Sequence, residues 1–359
     1  MSNRTIPIVP AGDESPAESF SLHFPDYLRL HLGFYRCLLI QITLRCPLEC
    51  AHCCVDAGPS RREKLDEDRL EVGIRSFAAL SSAKLVCLTG GEPFSAKSLL
   101  RKSLSLCETL GLQSYVITAA HWATSVERAR TVLTALPPIT LLSVSADRYH
   151  EEFVPLVNIR NALEAANELR ISANLLLTTD DDGGDFEARL ASELADLWGG
   201  LAIHRTPLGE VGRSSSHSHR DGDINSSDDG PCPLIGTPAV TADGSVCACC
   251  QVQETNLMAQ PGHALNLGRL GVDPFSTMQQ KLYSDPLLQA IRLAGPKWII
   301  RRAQANAIMP AVPLDELSVC QACSLTVRDS RLASALREML RSPAAALQMH
   351  YLESMNHET

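Results

Sequence analysis

The chain has 359 residues, 45% apolar and 20% charged, with 41 acidic side chains against 32 lysines and arginines, a formal net charge of -9. Such a length can bury a large core and excludes a wholly disordered chain, while the acidic balance predicts no broad attraction to a phosphate backbone and hence no nucleic-acid partner. The opening MSNRTIPIVPAGDESPAESF lacks the basic start and apolar run of a signal peptide, and no later stretch approaches the roughly 20 apolar residues that span a bilayer.

A cytoplasmic protein with no membrane partner is therefore expected. In that reducing compartment thirteen cysteines are poorly explained by disulfides, which makes metal ligation the hypothesis to test.

Residues 1–36 read as an N-terminal extension. From residue 37 apolar strand-like runs alternate with helical periodicity: CLLIQITL (37–44), a helix near 66–80, KLVCLTG (84–90), a helix over 96–110, SYVIT (114–118), a helix near 124–135, TLLSVSA (140–146), a helix near 156–169, ISANLLL (171–177), a helix near 185–197 and GLAIHRTPLG (200–209). Strands apolar over five or six consecutive residues suit a parallel sheet covered on both faces. The pattern breaks near Gly212, short of the eight repeats of a closed barrel, so residues 37–212 predict a partial (β/α)6 barrel.

The polar run 213–230 predicts a flexible linker. Residues 231–328 predict a smaller cysteine-bearing domain, with a hairpin turning at Asp243-Gly244 and a helix over 284–294. Residues 329–359 predict a last helix and tail.

Cys46, Cys50 and Cys53 follow the first strand as Cys-x3-Cys-x2-Cys. Three thiolates suit an iron-sulfur cube with one iron left for a non-protein ligand, whereas structural zinc usually closes with four. A zinc site using three of Cys46, Cys50, Cys53 and Cys54 with His52 is the alternative. After the second strand comes TGGEP (Thr89 to Pro93), whose Gly90 and Gly91 permit close backbone approach and whose Glu92 can accept from an ammonium.

On these two motifs the chain resembles the radical SAM superfamily. The resemblance implies a 4Fe-4S cluster on Cys46, Cys50 and Cys53, with S-adenosylmethionine on the fourth iron and its amino group steadied by Glu92 in the Gly90-Gly91-Glu92-Pro93 turn. It further implies reductive cleavage to methionine and a 5′-deoxyadenosyl radical that abstracts a substrate hydrogen, with the electron supplied by a flavodoxin- or ferredoxin-type donor.

Weaker carry-overs place Thr118, Ser145, Asp147 and Asn174 near the cofactor. Relatives often have Asn-Gly after the third strand, where this chain has Ala119-Ala120. A helix cap is an equal reading of Ser145 and Asp147. His150 is a candidate for proton transfer and Arg205 for a substrate carboxylate.

Cys232, Cys247, Cys249, Cys250, Cys320 and Cys323 lie in the C-terminal third. Their order resembles the twitch auxiliary domain, shorter than the two-cluster SPASM form. That resemblance implies a second 4Fe-4S cluster on Cys232, Cys249, Cys320 and Cys323, with Cys250 the alternative to Cys249 and a four-thiolate zinc the rival centre. Cys37, Cys87 and Cys107 are expected to pack as small hydrophobes.

The short segment before the barrel leans the expected substrate toward a small biosynthetic metabolite. Modification of a ribosomally made peptide is an alternative, as is a noncatalytic metal-bound scaffold. GPSRREKLDEDR (58–69) resembles radical SAM proteins of arsenic natural products, which adds transfer of a 3-amino-3-carboxypropyl group from S-adenosylmethionine to a small acceptor.

Overall fold

The protein is described from a computed structural model, which covers residues 30, 35–179, 185–197, 200–208, 212–216, 230–232, 234–249, 260 and 262–357. Apart from Leu30 the run 21–34, the greater part of the expected linker and Cys250 lie outside the described residues.

Six strands alternate with helices as expected: β1 (Cys37–Thr43), α1 (Glu67–Ala78), β2 (Leu85–Gly90), α2 (Lys97–Leu110), β3 (Gln113–Thr118), α3 (Val126–Thr134), β4 (Leu141–Ser145), α4 (Arg148–Glu151), α5 (Leu156–Glu168), β5 (Ser172–Thr179), α6 (Phe186–Glu193) and β6 (Ala202–Pro207). Local chemistry sets several boundaries: Asp66 caps α1, Ser125 caps α3, and Gly111, at φ 65°, ends α2 in the left-handed conformation. All six strands are parallel to their neighbours.

Period-two alternation gives the sheet two distinct faces. Leu38, Ile40, Ile42, Val86, Leu88, Val116, Leu142, Val144, Leu175 and Leu177 belong to the main core with apolar residues of the helices. Cys37, Leu85, Cys87, Tyr115 and Leu141 form a separate cluster on the other face, which turns polar toward the strand ends through Gln41, Thr89, Ser143 and Asn174. Cys37, Cys87 and Cys107 are buried, as expected of packing residues.

The expected hairpin forms from β7 (Ala239–Val240) and β8 (Ser245–Cys247) around Gly244 at φ 88°. It does not belong to a separate sheet: β7 lies parallel beside β1, and β9 (Asn266–Arg269), absent from the expected elements, pairs with β8. One nine-stranded sheet results, in the order β6-β5-β4-β3-β2-β1-β7-β8-β9. β6 and β9 are the two edges, with no pairing between them, so the described strands form an open sheet.

The remaining helices are α7 (Phe275–Ser284), α8 (Pro286–Leu293), α9 (Pro296–Ala305), α10 (Val319–Val327), α11 (Ser330–Leu340) and α12 (Pro343–His357). The expected single last helix is two, because Pro343 cannot continue α11 and instead opens α12. Among the described residues no helix is long and apolar enough to cross a membrane.

The two halves share one core, and the contact is tight at Gly73 of α1, where a Cβ would lie 2.1 Å from Leu270 Cδ1. Overpacking costs about 1–3 kcal/mol, against a helix-propensity gain of about 1 kcal/mol for alanine over glycine. Gly73→Ala is therefore expected to destabilise the protein by about 1 kcal/mol in denaturant unfolding. In a Leu270→Ala background the same change should stabilise.

Candidate functional site

The ends of β1 and β2 are joined by main-chain bonds from Gly91 N to Thr43 O (2.6 Å) and from Glu92 N to Arg45 O (3.0 Å). A Cβ on Gly90 would sit 2.3 Å from Thr43 O, and one on Gly91 2.4 Å from Arg45 O. The glycines are thus required by the start of the cysteine loop, a nearer neighbour than any ligand. Gly90, at φ 131°, also needs a conformation that side chains avoid. Pro93 then starts a 3-10 turn, Pro93–Ser95, and is buried.

The cysteine loop spans 44–64 and folds back on itself, with Cys46 N donating to Gly58 O, Gly58 N to Leu44 O, and Ala57 N to the Cys53 Sγ at 3.3 Å. Cys46, Leu48, Cys50 and Ala57 pack with Ala119, Tyr149 and Val154, which seats the loop against the ends of β3 and β4. Burial pushes the Cys46 and Cys50 thiols up to about 12, so ligation would displace their protons.

Among the described residues the group whose ligand atoms all lie within 4.8 Å of one another is His52, Asp147 and His150. The cysteine triad forms no such group.

Glu92 is buried, and its carboxylate accepts from Phe94 N (3.0 Å), Ala119 N (2.9 Å) and Thr118 Oγ1 (2.9 Å). His121 Nδ1 lies 3.7 Å from Oε2, beyond hydrogen-bond range. Thr118 Oγ1 also lies 3.0 Å from Oε2, so its one proton is shared between the two oxygens, and three donor protons against about four acceptor positions leave about one. Thr118 has none to spare: its hydroxyl donates to Glu92 and accepts from Ala120 N (3.1 Å) and Trp122 Nε1 (2.9 Å). The expected cofactor contact at Thr118 is corrected to a support for Glu92. Ala120, at φ 58°, occupies the left-handed region, where glycine is the favoured residue.

Asp147 is also buried, but saturated. Oδ1 caps α4 through Tyr149 N and His150 N, both at 3.0 Å, while Oδ2 meets His150 Nδ1 at 2.8 Å and His52 Nε2 at 3.2 Å. The cap reading holds, and the direct ribose contact is corrected. His52 stacks on Tyr149 with ring centroids 4.7 Å apart. The sequence offered Asp147 and His150 as separate candidates and His52 only as a zinc alternative, so the joining of the three was missed; the position of His52 between Cys50 and Cys53 was the available signal.

Ser145, at the end of β4, is half-buried. Asn174 is fully buried on the inner face, and its Oδ1 has no partner, like the Oγ of buried Ser143, its register neighbour. These orphaned atoms mark Asn174 and the unanticipated Ser143 as polar groups a ligand could satisfy.

Arg205 faces the other way. Its register partner is Leu177 of the main core, and its guanidinium pairs with Glu187 of α6. The expected carboxylate site there is corrected, because strand alternation turns Arg205 to the helix side and places His204 on the inner face. Burial holds the His204 imidazole below its ordinary value.

In the C-terminal half Cys232 and Cys249 are buried, and Cys320 and Cys323 stand one turn apart on α10, half-buried. Burial, and after it the charge of Cys232, pushes the Cys320 thiol up to about 11. Cys247, in β8, is fully buried.

No protein-family model matches the chain. The chain is 23% identical over 298 residues to the putative peptide biosynthesis protein YydG of Bacillus subtilis (strain 168), covering 79% of this chain and 89% of that one. The crystal structure of Streptococcus suis SuiB bound to precursor peptide SuiA superimposes with a TM-score of 0.53 at 16% identity, over 74% of this chain and 69% of that chain. Native anSMEcpe with bound AdoMet and Cp18Cys peptide aligns with a TM-score of 0.48 at 12% identity, over 67% and 79%.

Burial alone would raise the Asp147 carboxyl, but the imidazoles of His150 and His52 and their hydrogen bonds outweigh it and hold it below the usual carboxylate range. Asp147→Asn is expected to cost about 3 kcal/mol, the scale for breaking a buried charged network. A depressed pKa adds stability that is complete above the unfolded value near 4 and fades as pH falls below it. The gap between wild type and variant in urea unfolding should therefore hold at neutral pH and narrow in acid.

Proposed function

From the radical SAM superfamily fold with its SPASM/twitch-like auxiliary region, we propose that the chain is a radical SAM enzyme that modifies a peptide. The observation that carries the chemistry is one seam of backbone bonds that ties the loop bearing three cysteines to Glu92, a buried carboxylate with about one acceptor position left.

In this reading Cys46, Cys50 and Cys53 would hold a 4Fe-4S cluster and Glu92 would accept a hydrogen bond from the amino group of S-adenosylmethionine. When bound and reduced, that pair supplies the 5′-deoxyadenosyl radical for hydrogen abstraction. The chain's own residues do the rest. Thr118 and Ala119 fix the Glu92 carboxylate, Asp147 ties His52 of the cysteine loop to the end of β4, and Ser143 and Asn174 offer polar atoms on the inner face.

His150, oriented by Asp147, is the candidate for proton transfer. Ser145 stands at the cofactor edge. Cys232, Cys249, Cys320 and Cys323 are the proposed ligands of a second 4Fe-4S cluster, and a flavodoxin- or ferredoxin-type protein the proposed electron donor.

A peptide is preferred over the small metabolite expected from the short N-terminal segment, because YydG is described as a peptide biosynthesis protein and SuiB was solved with its precursor peptide. Aminocarboxypropyl transfer gains no support from 58–69, whose charged groups serve the loop and the following helix: Arg61 pairs with Asp56 and Glu63, and Asp66 caps α1.

Anaerobically reconstituted, reduced protein with S-adenosylmethionine should release 5′-deoxyadenosine and methionine, seen by mass spectrometry, and alter the mass of a precursor peptide encoded beside its gene. Alanine at Cys46, Cys50 or Cys53 should abolish the release. Glu92→Gln should raise the KM for S-adenosylmethionine about 10-fold or more, the scale of a lost charged hydrogen bond. Methylthioadenosine as the product would instead mark cleavage of the other bond and reject the hydrogen-abstraction reading.

A further inference from the structure

β6 and β1 are separated by the four strands β2 to β5, yet the chain leaving β6 returns to the loop that follows β1. The return is made by Gly212 and Arg213 of the 3-10 turn Gly212–Ser216, which the sequence placed at the start of a flexible linker. Arg213 N donates to Cys53 O at 3.0 Å. Its guanidinium donates through Nε to Cys50 O at 3.0 Å and through Nη1 to Ala57 O at 2.6 Å and Asp56 Oδ1 at 2.9 Å.

Gly212 makes this approach possible. Its φ is +58°, and a Cβ there would lie 2.3 Å from Cys53 O and 2.6 Å from the Cys54 carbonyl. Asp56 itself is held at φ 51°, with its other carboxylate oxygen 3.0 Å from Arg61 Nη1, so the strap ends on a strained residue gripped from two sides.

We propose that Arg213 is a positioning residue that straps the open side of the sheet to the cysteine loop, holding Cys50 and Cys53 in ligating shape and placing a fixed positive charge beside their metal centre. This inference rests on the cluster reading above. It stands on the carbonyl contacts rather than on the Arg213–Asp56 ion pair, because Asp56 is 56% exposed and such pairs contribute little. The guanidinium fork reaches three acceptors on one loop, a geometry that the point charge of lysine cannot reproduce. A cation so placed favours electron-rich thiolates and raises the reduction potential of a bound cluster.

The test uses the full chain with Arg213→Ala, Arg213→Lys and Gly212→Ala. In metal-free protein, hydrogen exchange of amides in 50–58 is expected to quicken about 10-fold or more in all three, the scale of charge-assisted hydrogen bonds lost, with helix amides of the core unchanged. After anaerobic reconstitution, Arg213→Ala should retain less iron at the triad and show a more negative midpoint potential. Arg213→Lys should recover the potential but not the slow exchange.

Wild-type exchange, iron and potential in both Arg213 variants would overturn the inference. If Arg213→Ala does not fold, Arg213→Lys and Gly212→Ala decide it by the exchange readout alone. Wild-type protein that retains no more iron than a Cys46→Ala/Cys50→Ala/Cys53→Ala variant would defeat the cluster reading, while the exchange result would still decide whether the strap exists.

Discussion

The two main-chain bonds that join the ends of β1 and β2 govern the rest of the site. They set Thr43 and Arg45, where the cysteine loop begins, against Gly91 and Glu92. A side chain at Gly90 or Gly91 would collide with that backbone, so the thiols and the acceptor carboxylate are registered by one contact. A shift there would move both donor sets together. In the proposed function, where the two groups hold different parts of one cofactor, such coupling would fix their relative placement, on which rate depends.

Two buried carboxylates a short distance along the same edge have opposite duties, and the difference lies in their counts of donors. Glu92 accepts from three groups and keeps room for another. Asp147 has every position filled by two amides and two imidazoles. Glu92 can meet a ligand, whereas Asp147 fastens the cysteine loop to the end of β4. Burial makes both arrangements costly to disturb, because a carboxylate in a dry site that loses its donors cannot recover them from water.

The C-terminal half extends the same sheet rather than standing apart. β7 lies on the free edge of β1, which covers a strand edge that would otherwise be open to pairing, and Leu270 fills the hollow left by Gly73. The cysteines of that half are thereby fixed relative to the strand from which the first cysteine loop departs.

Much of this was readable from residue order, because period-two and 3.6-residue patterns, caps and glycine turns are local. The strands β1 to β6, the helices between them, the hairpin at Asp243-Gly244 and the Cys46-Cys50-Cys53 spacing all follow from neighbours within a few positions. The turn of Arg205 away from the inner face was legible too, had strand parity been applied to it. What residue order left open involves partners far apart in the chain: β7 beside β1, His52 with Asp147, and Arg213 on Cys50, 163 residues away. No periodicity encodes such pairings. They arise when packing removes water from particular polar groups, which must then find partners wherever the folded chain has brought them.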